Sequence, residues 1–218
     1  EVNGGAQITK FNIQASDYDV NRHFFLSQYF ADNYDNALAR LPVIQSNVII
    51  NYIEVWVTNR ASNYSNTGNL VALMDLGESD PYNNSYTLPG VEPYPNNDAN
   101  SLFSQISQNA DATKNNLKVG VEYVDLTNAR QLNAQEYTMN AQLGYVSLNQ
   151  ALNTDEILAV AYEYSYNGRI YKVGDVAIDR PPHKQTPPTL SVKIIKYNLL
   201  KTNLHTLHIT TKLNHYIG

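Results

Sequence analysis

Asn167-Gly168 sits between two runs of alternating apolar side chains, and this pair restricts the fold more tightly than any other feature of the chain. Both central residues of a type I′ turn need positive φ, and Asn-Gly meets that need with little strain. Before it, Ile157, Ala159 and Ala161 alternate with Leu158, Val160 and Tyr162. After it, Ile170, Tyr171 and Val173 supply a return strand. The spacing predicts a β-hairpin within Leu143–Asp175, a scaffold with no reactive chemistry of its own.

Other segments read by the same logic. Lys10–Ala15 is a short strand. Asn21 caps a long helix in which Phe25, Leu26, Tyr29, Phe30, Tyr34, Leu38 and Leu41 recur at spacings of three and four, with Pro42 as its stop. Val48–Thr58 is β-branched and aromatic with apolar side chains on both faces, as expected of a strand covered on two sides. Leu70–Leu76 is a second buried strand, paired antiparallel with the first. Residues 77–100, with Pro81, Pro89, Pro93 and Pro95, form a partner-facing or mobile loop, and short helices follow at Ser101–Gln108 and Thr127–Gln135. Asp179–Pro188 contains four prolines and is irregular. Thr189–Lys196 is a strand with Leu190, Val192 and Ile194 on one side and Ser191 and Lys193 on the other. The fold expected is α+β and β-rich: an antiparallel sheet or sandwich-like core with one long N-terminal helix and short connecting helices.

Composition narrows the function. Only 16% of the 218 residues are charged, the net charge is -5, and 17 tyrosines lie among abundant asparagines. A nucleic-acid partner needs clustered Lys and Arg, and no such cluster occurs. The absence of cysteine excludes disulfides and Cys-based zinc sites, and fits an oxidising envelope compartment. No apolar run reaches the roughly 18 to 20 residues of a membrane-spanning helix, and too few long alternating strands occur for a transmembrane barrel. The segment is expected to be water-soluble, a mature protein or a cut-out piece.

Candidate reactive residues each have a plainer reading. Asp17, Asp19 and Asn21 copy the opening of a calcium loop, but Arg22 stands where the glycine is needed and Gln28 where the bidentate glutamate is needed. A turn and helix cap is the better reading. His205, His208 and His215 lack metal-ligand spacing, and a strand would point the first two to opposite faces. Glu54, Asp75 and Glu163 lie in strand-like runs where a glycosidase pair could arise, although paired or edge carboxylates are commoner. No G-x-S-x-G elbow, phosphate loop or dinucleotide fingerprint occurs. The reading is therefore of no catalytic residue, no metal and no cofactor. Trp56 belongs to the core. Tyr82, Tyr86 and Tyr94 form a possible partner-facing loop, since an aromatic body with a polar tip suits wet interfaces.

The residues quoted in order, Phe11–Phe30 (FNIQASDYDVNRHFFLSQYF), Ile53–Arg60 (IEVWVTNR), Asn69–Glu78 (NLVALMDLGE), Asn128–Tyr137 (NARQLNAQEY) and Leu143–Gly174, resemble the SprA/Sov proteins of Bacteroidetes. The likeness is collinear from Phe11 to Lys196, whereas Leu199–Gly218 departs from the family pattern. That family forms the outer-membrane translocon of the type IX secretion system and serves gliding motility. Its members are far longer, so the resemblance implies an internal segment: residues 1–198 as a single extramembrane domain, 199–218 as a tail. It implies a non-enzymatic structural and interaction module, lying in the cell envelope as an extracellular cap or on the periplasmic side. The implied partners are the rest of the translocon barrel, lipoprotein and plug subunits, and secreted cargo. A surface carbohydrate-binding β-sandwich using Trp56 or the Tyr82–Tyr94 loop is the alternative.

Overall fold

A computed structural model describes residues 21–61, 66–74, 76, 119–120, 123–176 and 189–197. Nine strands and one helix lie in this part. They are β1 (His23–Phe25), α1 (Gln28–Leu38), β2 (Val48–Val57), β3 (Thr67–Leu73), β4 (Tyr123–Gln131), β5 (Tyr137–Asn140), β6 (Tyr145–Leu148), β7 (Leu158–Tyr166), β8 (Arg169–Val173) and β9 (Leu190–Lys196). The strands form a three-stranded sheet, β1-β6-β5, and a six-stranded sheet, β2-β4-β3-β9-β7-β8, in which β2 also pairs with β7. Five strands of the larger sheet thus complete a cycle of pairings, β2 to β4 to β3 to β9 to β7 and back to β2.

The hairpin forms where the Asn-Gly pair predicts it. Tyr166 and Arg169 face each other across the turn, with φ of 47° at Asn167 and 76° at Gly168. Val48–Val57 and Leu190–Lys196 are also strands, as their β-branched content predicts.

The α+β expectation is overturned. Among the described residues the only helix is α1, 11 residues long, and there are no short connecting helices. Asn21 is in the left-handed region at φ 59° and does not cap it. Ser27 stands at the cap position with extended backbone and no side-chain cap bond. Phe24, Phe25 and Leu26 are all at most 1% exposed. Three successive buried side chains need cover on both sides, which a strand against β6 offers and a one-faced surface helix does not. Thr127–Gln135 is also not helical: it begins in β4 and ends in a turn. The pairing slips between Leu126 and Ala129, with Asn128 at φ 53° as the extra residue. Such a bulge keeps Leu126 and Ala129 on one face at a spacing of three, which imitates a helical period.

The expected ribbon of β2 with β3 is corrected as well. β4 lies between them, antiparallel to both, and β3 runs parallel to β9. A bulge between Ile50 and Tyr52 changes the parity of β2. Val48, Ile50, Ile53, Val55 and Val57 therefore share one core, while Trp56 belongs to the core on the other side of the sheet.

That first core joins the larger sheet to the small sheet and α1 through Phe24, Phe25, Phe30, Val146, Leu148, Leu158, Val160 and Tyr162. On the opposite face, Trp56 packs with small and branched residues: Leu70, Ala72, Ala129, Ala159, Ala161, Leu190 and Val192. β9 is buried at every position, its polar half included. Lys193 is 1% exposed and donates to Leu26 O at 2.7 Å. The strand expected at 10–15, the loop expected at 77–100, the helix expected at 101–108, the irregular stretch expected at 179–188 and the 199–218 segment fall outside the described residues.

Candidate functional site

Two five-residue segments with the same sequence grammar, each closing a turn from its asparagine to its glutamate, face one another. Leu132-Asn133-Ala134-Gln135-Glu136 follows β4, and Leu152-Asn153-Thr154-Asp155-Glu156 precedes β7. In each, the glutamate N–H donates to the asparagine carbonyl, at 2.9 Å for Glu136 and 3.2 Å for Glu156. In each, the glutamate Oε2 accepts from the asparagine N–H and side-chain amide, at 2.9 and 3.2 Å in the first turn and 2.7 and 3.0 Å in the second. The reciprocal pattern resembles a capping box closing a single turn. No reading of spacing alone singled out these glutamates; the repeated Leu-Asn-x-x-Glu was the available signal.

Between the turns lies an open groove of about 300 Å³. Its lining is more polar than apolar: Val57, Leu132, Leu148 and Leu152 supply the apolar floor, and Gln135, Asn149 and Gln150 are among the polar residues around it. Asn149 holds the first turn in place, its N–H on Glu136 O at 2.9 Å and its amide on Gln135 O at 2.5 Å.

The groove's cations are engaged. Arg130 Nη1 donates to both oxygens of Glu136, at 2.7 and 3.0 Å. Burial works against the charged form of Glu136, but the Asn133 N–H and the Arg130 guanidinium outweigh it and hold the carboxyl below the ordinary range. Lys196, at the end of β9, reaches under the second turn and donates to Asn153 O, Thr154 O and Glu156 O at 2.6, 3.1 and 2.6 Å. Burial lowers its ammonium pKa, and Glu156 and Asp155 offset only part of this. Arg60 pairs with Asp155 and stands 3.8 Å from Glu156 Oε1.

Of the carboxylates considered for glycosidic chemistry, Glu54 and Glu163 do not line this groove. Glu54 is 2% exposed and accepts from the Tyr52 hydroxyl at 3.0 Å. Burial, then the Glu54 charge, raises the Tyr137 pKa. Glu163 pairs in register with Tyr52 and accepts from the Asn51 amide at 3.3 Å. Glu54 is sealed from substrate, and Asp75 lies outside the described residues.

Trp56 is 4% exposed, with its ring over Gly68, where an added Cβ would stand 3.2 Å from it. It is a core residue and offers no stacking face to a sugar. Arg22, at the position where a calcium loop needs glycine, donates to Leu148 O and Asn149 O and so ties β1 to the loop after β6. Among the described residues no group of three or more His, Asp or Glu could hold a metal ion. No helix there is long and apolar enough to cross a membrane, which says nothing of membrane strands. Tyr82, Tyr86, Tyr94, Asp17, Asp19, His205, His208 and His215 lie outside the described residues.

Comparison with known proteins adds one finding. Among curated proteins, none matches the chain. Residues 1–89 match the SprA_N family model, described as a motility related/secretion protein. The match takes in β1, α1, β2 and β3, and it supports membership of the chain in the SprA/Sov family.

Proposed function

We propose that the chain is a non-catalytic structural and interaction domain of an outer-membrane translocon serving type IX secretion and gliding motility. The observation that carries this reading is the family match over residues 1–89. The pairings extend it: β1 pairs with β6, β2 with β4 and β7, and β3 with β4 and β9. Every matched strand therefore takes its partners from beyond residue 89, which favours one continuous body over residues 1–198 rather than a short N-terminal module. Such a body supplies shape: a wall or gate whose surface charge is low and whose buried cations are held by carbonyls and carboxylates. Its partners in this reading are the remainder of the barrel, lipoprotein and plug subunits, and passing cargo, at an extracellular cap or on the periplasmic side.

Deletion of residues 1–198 from the full-length protein is expected to abolish cargo export while the barrel still inserts and folds. Unimpaired export after this deletion refutes the role. Because the chain has no cysteine, Val43→Cys on the exposed turn after α1 reports its side of the membrane. Labelling of intact cells by an impermeant reagent places it outside; labelling only after lysis places it in the periplasm.

A further inference from the structure

We propose that the groove between the two Leu-Asn-x-x-Glu turns binds an arginine- or lysine-bearing stretch of extended polypeptide. The floor of Val57, Leu132, Leu148 and Leu152 offers apolar cover for an aliphatic stem, the arrangement in which long basic side chains bury their methylenes and keep the charged head in a polar setting. The volume of about 300 Å³ is at the small end for ligand clefts, enough for one long side chain and its flanking backbone and too little for an oligosaccharide.

The sign of the bound charge follows from which groups are already engaged. Both oxygens of Glu136 are held by Arg130, and Oε2 also accepts from Asn133. Arg130 is held in that bidentate pair, and Lys196 rests on three carbonyls. Glu156 differs. Its Oε2 is held by Asn153, but its Oε1 has Arg60 only at 3.8 Å, and Arg60 also pairs with the more exposed Asp155. The side chain of Glu156 is 16% exposed. One carboxylate oxygen of a residue that lines the groove is thus held only by a long ion pair, to Arg60. A guanidinium or ammonium arriving there gains a charge-assisted hydrogen bond with little desolvation of the cations already present. An acidic side chain meets the carboxylates of Glu136 and Glu156 and cations that already have partners, Arg60 in Asp155, Arg130 in Glu136 and Lys196 in three carbonyls. The exposed amides of Gln135 and Gln150 on the rim can pair with the main chain of a peptide, which a free amine lacks.

The test uses the whole 218-residue chain, labelled with nitrogen-15, and three probes: acetyl-Gly-Arg-Gly-amide, its glutamate counterpart, and n-propylguanidine, which has the same head and stem without a peptide backbone. The arginine peptide is expected to shift the amide resonances of residues 132–136 and 149–157 in a saturable way. n-Propylguanidine should bind at least about tenfold more weakly, and the glutamate peptide should leave the groove unshifted. Glu156→Gln should weaken the arginine peptide by at least about tenfold. Ala151→Trp, at an exposed rim position, should block the groove sterically without removing any side-chain hydrogen bond. No shift with up to about 5 mM arginine peptide, equal binding by the glutamate peptide, equal binding by n-propylguanidine, or full binding to Ala151→Trp would each overturn the assignment. The readout is independent of whether the domain is required for secretion.

Discussion

Gly144 shows how much one missing side chain decides. Its φ is +61°, and a Cβ there would lie 2.1 Å from the ring of Phe30, a core residue of α1. The turn can press against the helix only because the position is bare. Gly144→Ala adds backbone strain to displacement of a buried ring, so a loss of about 2–4 kcal/mol is expected in urea unfolding. Gly168→Ala is the control, because its added Cβ meets nothing within 4 Å and only the left-handed backbone is penalised, about 1–2 kcal/mol. Glu136 gives a prediction in pH. Its carboxyl is held below the ordinary 4.5, so the unfolded chain binds the proton more readily. The stabilisation is complete above the ordinary value and is lost as pH falls through the lower folded one. Glu136→Gln should therefore flatten the fall in stability between neutral and strongly acid pH, and a mutant whose acid limb matches that of the native chain would contradict the Arg130 and Asn133 contacts.

At the scale of elements, β9 is the strand whose behaviour departs furthest from its pattern. The alternation of Leu190, Val192 and Ile194 with Ser191 and Lys193 reads as one buried and one wet face, yet both faces are covered. Two buried lysines make this possible, each by donating to main-chain carbonyls: Lys193 to Leu26 O and Lys196 to the 153–156 turn. Lys196→Met keeps the stem and removes the donors, leaving three carbonyls to find other partners. The expected cost is about 2–4 kcal/mol, read as a lower urea midpoint with an unchanged slope. At the start of β9, the Ser191 N–H donates to Asp175 Oδ2 at 3.0 Å and the Asp175 N–H to Ser191 O at 2.6 Å. The end of the β7–β8 hairpin is thereby fastened to the last described strand.

For the molecule as a whole, the pairing cycle sets the order of stability. β7 is bonded on one edge to β2 along its length, and on the other to β9 at its start and β8 at its end. β5 has β6 as its only strand partner among the described residues. Amide exchange in native conditions should be slowest in β7 and at least about 100-fold faster in β5, since a strand shielded on both edges opens only with the larger unit. Comparable protection of the two strands would mean that the sheets open together.

Local chemistry was legible where a residue's need is met by its immediate neighbours. The positive φ of Asn167-Gly168 predicts the hairpin whatever packs around it, and the β-branched content of Val48–Val57 and Leu190–Lys196 predicts extended chain. The order of residues also carried the family likeness, which the family match bears out over residues 1–89. What remained was decided by contacts distant in sequence. Phe25 and Leu26 fit a helical period with Tyr29 and Phe30 until β6 pairs with Phe25. The short helix expected at Thr127–Gln135 gives way to strand beside β3, where Asn128 is the bulge. The groove exists because residues twenty positions apart are brought face to face by the sheets that carry them. Periodicity records which side chains are to be buried; only the assembled sheets determine what buries them.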